Sequence, residues 1–73
     1  MAKKGGSAVY RVTEVIGTSS NSWEDATRSA VRTASKSLRD LRIAEVSKLD
    51  VRLDENGKMQ FRARVSLSFK YQA

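Results

Sequence analysis

The chain has no cysteine and no histidine. The first absence excludes disulfide staples and thiolate metal sites. The second excludes imidazole catalysis and histidine-ligated zinc. No carboxylate pair has an evident catalytic spacing, so the sequence argues against an enzyme. The opening Met-Ala-Lys-Lys-Gly-Gly-Ser is basic, but no apolar stretch of useful length follows it. The expectation is therefore no signal peptide, no membrane span and a cytoplasmic location.

These absences matter because the chain is short. At 73 residues it is expected to form one domain, residues 8–73, behind a disordered tail over residues 1–7. A domain of this size buries only about 60% of its unfolded surface. Below roughly 80 residues a disulfide, a metal or oligomerisation is usually needed. With disulfides excluded, a well-packed core, a hard-cation site or a multimer remains. The formal charge of +6 is compatible with anionic partners, though basic charge is also a common solubility device.

What the chain does have is one long alternating run. Met59, Phe61, Ala63, Val65, Leu67, Phe69 and Tyr71 are apolar; Gln60, Arg62, Arg64, Ser66, Ser68 and Lys70 between them are polar. A period of two marks a strand with one face buried and one face wet. At about 3.3 Å per residue it reaches roughly 40 Å, more than one small domain covers. That surplus is the first sign of an oligomer.

The remaining elements follow from local chemistry. Ala8 to Ile16 is β-branched and aromatic and reads as the first strand, ended by a polar loop over Gly17–Asn21. Ser22 has the character of a helix N-cap, with Asp25 placed for reciprocal capping and Glu24 and Asp25 in the first turn. Trp23, Ala26, Ala30, Val31, Ala34, Leu38 and Leu41 recur at helical spacing, which predicts a helix ending near Asp40. A second strand spans Leu41 to Leu53. Ala44 and Val46 are apolar at even numbers, but Leu49, Val51 and Leu53 at odd ones. An extra residue near Ser47 or Lys48 puts both sets on the core face and turns Ile43 and Glu45 outward. Asn56-Gly57 marks the hairpin, and matching the apolar faces requires a three- or five-residue loop.

The predicted fold is α+β, of β-α-β-β order: a three-stranded antiparallel sheet, strand order 1-3-2, packed on one helix. The helix is too short for the strands, so their ends must be bent or covered by partners, and the free edges are natural pairing sites.

In this order, spacing and length the chain resembles the dodecin family, small flavin-associated proteins that assemble into hollow dodecamers. The matching segments are Val9-Tyr10-Arg11-Val12 leading into Ile16-Gly17-Thr18-Ser19, Ser22-Trp23-Glu24 with Ala26, Leu41-Arg42-Ile43-Ala44-Glu45-Val46, and Val65-Ser66-Leu67-Ser68-Phe69. The resemblance implies a homo-oligomeric storage or buffering protein holding riboflavin or FMN at subunit interfaces. In that family a tryptophan stacks on the isoalloxazine ring at a twofold interface, and a glutamine bonds the ring's polar edge. Ile43 stands at the first of these positions and Arg62 at the second. Ile43 has no π face, and Arg62 donates hydrogen bonds but accepts none. The Ser-Trp-Glu helix opening with Ile at this position resembles a subgroup associated with calcium rather than flavin.

The candidate cofactor-binding residues are therefore Ile43, Glu45, Arg62 and Arg64, on one outward face. The alternative is an interface contact with no ligand. Arg62, Arg64 and Lys70 form either an anion-binding row or an intersubunit face paired with acids such as Glu14 or Glu45. Trp23 either stacks on a ligand or seals the helix end. Asp50, Asp54 and Glu55 are the calcium candidates, but their spacing lacks a complete EF-hand loop, and calcium wants six to eight oxygens. A nucleic-acid surface is disfavoured because Phe61, Phe69 and Tyr71 lie on the apolar face, where bases cannot stack on them.

Overall fold

A computed structural model describes residues 8–70. The anticipated tail over residues 1–7 and the last residue of the alternating run, Tyr71, lie outside the described residues. The elements are β1 (Tyr10–Ser19), α1 (Trp23–Ala34), β2 (Leu41–Leu53) and β3 (Met59–Lys70). The three strands form one antiparallel sheet in the anticipated order, β1-β3-β2.

The hairpin register follows the sequence pattern. Leu53 faces Met59 and Val51 faces Phe61 across a five-residue loop, Asp54 to Lys58. Gly57 takes a left-handed φ of 79° there, a conformation glycine adopts without steric cost. Asp54 organises the loop by accepting from the amides of Asn56 and Lys58 at 2.9 and 2.8 Å. The register shifts between Val46 and Lys48, so Ser47 is the extra residue; its hydroxyl donates to the Arg64 carbonyl at 3.2 Å. A second irregularity, between Leu41 and Ile43, has no counterpart in the apolar pattern.

Three expectations are corrected. The first strand does not stop at Ile16 but runs to Ser19, with Gly17 paired to Ala63 inside the ladder. Gly17 is there for proximity: a Cβ on it would sit 2.0 Å from the Ala26 carbonyl oxygen and 2.8 Å from the Ala30 Cβ. The helix ends at Ala34, not near Asp40. The hydroxyls of Ser35 and Ser37 donate back to the carbonyls of Arg32 and Ala34 at 2.9 and 3.4 Å, giving the backbone an alternative to further helical turns. Asp40 then reverses the chain at φ 57°, which Asp tolerates better than most residues. The Ser22 cap forms, with the Asp25 amide donating to the Ser22 hydroxyl at 3.0 Å. The return bond differs: the Asp25 carboxylate accepts from the Ser19 hydroxyl at 2.7 Å, and the Ser22 amide donates to Ser19 Oγ at 3.4 Å. Ser19, which is buried, thus ties the end of β1 to the start of α1.

The core is small. Ala26, Ala30 and Ala34 of the helix meet Ala63, Val65 and Leu67 of β3, with Val15, Val31, Leu38 and Leu41 around them. Alanine lets the helix lie close, but its 12 residues span only about 18 Å. It covers β1 and β3 and scarcely reaches β2. Val46 and Leu49, in phase with the core, are consequently 43% and 48% exposed, and Val46 borders an open groove with Glu24, Thr27, Arg28, Val31 and Arg32 of the helix. The molecule extends 59 Å along its longest axis against 21 and 16 Å across. A rod of this kind has no interior for its ends, and Leu53 is 69% exposed.

Candidate functional site

The strand register sorts the face turned away from the helix into rows. Each row runs across the sheet from β1 through β3 to β2. Val12, Ser68 and Ile43 form one row; Glu14, Ser66 and Glu45 the next; then Ile16, Arg64 and Lys48; then Thr18, Arg62 and Asp50. All four candidate residues, Ile43, Glu45, Arg62 and Arg64, therefore point to one face. They do not form one pocket within a chain. Ile43 faces Ser68, six positions along β3 from Arg62, or roughly 20 Å at the strand rise. A single ligand touching both needs a second chain.

Arg62 has an internal partner, and it is neither Glu14 nor Glu45. Its Nε and a terminal nitrogen donate to the two carboxylate oxygens of Asp50 at 2.7 and 3.0 Å. This paired-fork geometry is the strong form of an arginine–carboxylate contact. The bond from Arg62 holds the Asp50 carboxyl below its ordinary range, despite some opposing desolvation, with smaller help from Lys48 and Arg64. The same pairing raises the Arg62 guanidinium. The partner was readable: the odd loop that sets Leu53 against Met59 also sets Asp50 against Arg62.

Trp23 is likewise occupied. Its indole N–H donates to the Asp50 carbonyl at 3.0 Å, and its ring meets Phe61 edge-on at 5.1 Å and 77°. It packs the start of the helix against the sheet while staying 39% exposed. Among the calcium candidates, Asp50 is bound to Arg62 and Asp54 to its own loop amides. Among the described residues no group of three acidic, histidine or cysteine side chains is gathered for a metal. Glu14 accepts weakly from the Ser66 hydroxyl at 3.5 Å, and Arg64 and Lys48 stand side by side with like charge.

For a flavin the fit is partial. Ile43, 59% exposed, offers apolar contact without stacking. Arg62 is engaged by Asp50, while Arg64 and Lys48 remain as donors toward an anionic group.

A single helix on a three-stranded antiparallel sheet, with exposed apolar strand ends, defines a small β-α-β-β protein. The family model described as Dodecin matches residues 9–72, and the chain belongs to the dodecin family. It is 43% identical over 63 residues to a protein of Mycobacterium tuberculosis named calcium dodecin, spanning 86% of this chain and 89% of that protein. A crystal structure of calcium dodecin from that organism, described as calcium chelating with a novel calcium-binding site, matches with a TM-score of 0.82 at 42% identity, over 89% of this chain and 93% of that one. Dodecin from Streptomyces coelicolor matches with a TM-score of 0.83 at 32% identity, over 100% and 99% of the two chains. Among the described residues no helix is long and apolar enough to cross a membrane.

Proposed function

We propose that the protein is a homo-oligomeric dodecin, twelve chains to the assembly, that sequesters a small ligand between subunits rather than transforming it. The observation that carries this reading is the separation of Ile43 and Arg62 on one exposed face, which a second chain alone can close. The ligand class is a flavin. With isoleucine at the stacking position, ring recognition is weak, and the positive charge of Arg64 and Lys48 favours FMN, which carries a phosphate, over riboflavin. Glu45 and Arg62 complete the polar lining.

Fluorescence titration of the assembled protein tests this. Quenching of FMN at micromolar protein, stronger than that of riboflavin and reduced by salt, is the expected result. No quenching of either, with the assembly intact by mass, would overturn the flavin reading.

A second reading, a calcium-associated assembly, is favoured by the similarity to calcium dodecin. Asp50 and Asp54 are already engaged within the chain, so such a site would draw carboxylates from more than one copy. Elemental analysis of protein purified without chelator, with melting curves in calcium and in EDTA, tests it. Stoichiometric calcium and a melting shift support it; metal-free protein with unchanged melting rejects it.

A further inference from the structure

The hairpin between β2 and β3 turns on Asn56-Gly57, and this dipeptide is chemically reactive as well as a turn signal. An asparagine carboxamide and the backbone nitrogen that follows it close a cyclic succinimide when nothing obstructs them. Here little does. Among the described residues the Asn56 carboxamide has no hydrogen-bond partner; only its backbone amide is engaged. Gly57 puts no side chain in the way, and even a Cβ built on it would meet nothing within 4 Å. The whole loop, Asp54 to Lys58, is exposed.

One residue restrains the chemistry. The Gly57 amide donates to the Asp54 carbonyl at 3.1 Å, so its nitrogen cannot attack while the turn is closed. Asp54 also keeps the turn closed. Its own amide donates to the Lys58 carbonyl at 3.1 Å, and its carboxylate accepts from the amides of Asn56 and Lys58 at 2.9 and 2.8 Å. Bonds of an Asp side chain to the backbone just beyond it stabilise turns in this way. They are exposed here, and exposed loop ends open locally at low free energy.

We infer that Asn56 is a site of spontaneous modification to aspartate and isoaspartate, and that Asp54 is the latch that sets its rate. When the turn opens, the Gly57 nitrogen gives its proton to a solvent base and bonds to Cγ of Asn56. The bond from Cγ to the carboxamide nitrogen breaks, and that nitrogen takes up a proton and leaves as ammonia. Water then opens the succinimide. Cleavage between Cγ and the Gly57 nitrogen gives aspartate. Cleavage between that nitrogen and the main-chain carbonyl carbon gives isoaspartate, with the chain running through Cβ. Either product places a new negative charge next to Asp54 and Glu55. Isoaspartate also lengthens the loop that sets Leu53 against Met59 by one backbone atom. The other asparagine, Asn21, precedes a residue with a side chain, Ser22, whose hydroxyl is held in the helix cap and whose amide donates to Ser19 Oγ. It is the internal control.

The test follows full-length protein in warm, mildly alkaline buffer, both folded and unfolded in guanidinium chloride. Peptide mapping by mass spectrometry reads the exchange of NH for O at each asparagine, and circular dichroism confirms that each variant is folded. Wild type is expected to convert at Asn56 and not at Asn21, and more slowly folded than unfolded. That slowing should equal the hydrogen-exchange protection of the Gly57 amide, since both require the turn to open. Asp54→Ala removes two exposed hydrogen bonds of ordinary strength. It should raise the folded rate roughly five- to 30-fold and leave the rate in guanidinium chloride unchanged. Asn56→Gln, which would need a larger ring, should abolish the conversion. Folded wild type that stays unmodified while the unfolded chain converts fully would overturn the site. An Asp54→Ala rate equal to wild type, or a slowing unrelated to Gly57 protection, would overturn the latch.

Discussion

Gly17→Ala is the substitution with the most direct structural consequence. The added Cβ would lie 2.0 Å from the Ala26 carbonyl oxygen, where ordinary contact begins at 3.4 Å, and 2.8 Å from the Ala30 Cβ. The first neighbour is helix backbone and cannot swing aside as a side-chain tip does. The helix has to retreat from the sheet by about 1 Å or more, which loosens Ala26 and Ala30 against β3. Overpacking of this kind typically costs 1–3 kcal/mol, and a backbone clash belongs at the upper end, about 3 kcal/mol. For a chain of this size each kcal/mol moves the melting temperature by roughly 4–8 °C, so a fall of about 12–24 °C is predicted. Gly57→Ala is the control. Gly57 has a φ of 79° but nothing within 4 Å of an added Cβ, so the substitution costs only the left-handed backbone penalty of about 1 kcal/mol. Thermal unfolding by circular dichroism, at one protein concentration so that assembly contributes equally, separates the two. A Gly17→Ala melting point within about 4 °C of wild type, or a larger loss at Gly57, would refute the close-approach account.

Ser22→Ala removes the acceptor of the Asp25 amide and is expected to cost about 1 kcal/mol by denaturant titration. Asp50 is held below its ordinary value of 3.8 by Arg62, so its stabilisation is complete above that value and is lost as pH falls through the lower native pKa. The stability gap between wild type and Asp50→Asn should therefore be widest at neutral pH and narrow below pH 3.8; a gap independent of pH contradicts the pairing. Ile43→Trp supplies a π face where Ile43 is exposed. Stacking worth about 1–3 kcal/mol per ring should tighten riboflavin binding by roughly five- to 150-fold in a fluorescence titration. Trp23→Phe removes the only tryptophan and its bond to the Asp50 carbonyl; flavin binding is expected to stay as in wild type, and its loss would place Trp23 at the ligand after all.

The parts of the fold that were legible in the sequence are those that depend on period. The β3 alternation, the phase change in β2 and the odd hairpin loop all follow from keeping apolar residues on one face, and they also fix Asp50 opposite Arg62. The parts that were not legible depend on competition or on close approach. Leu38 and Leu41 continue the helical spacing, yet Ser35 and Ser37 end the helix through local hydroxyl bonds. Gly17 carries a loop signal, but its neighbours in space are Ala26 and Ala30, nine and more residues away in the chain. The candidate site was legible as a face and not as a pocket. Ile43 and Arg62 share a side of the sheet by phase alone, while their separation needs the register of the whole hairpin.

The proposed assembly would cover the exposed end of β2 and the uncovered Val46 and Leu49, and would bring together Ile43 and Arg62, which lie roughly 20 Å apart in one chain. Native mass spectrometry of the purified protein at near-neutral pH measures this directly. The predicted result is a single species near twelve times the 8.1 kDa chain mass. A folded monomer at 8.1 kDa would contradict it.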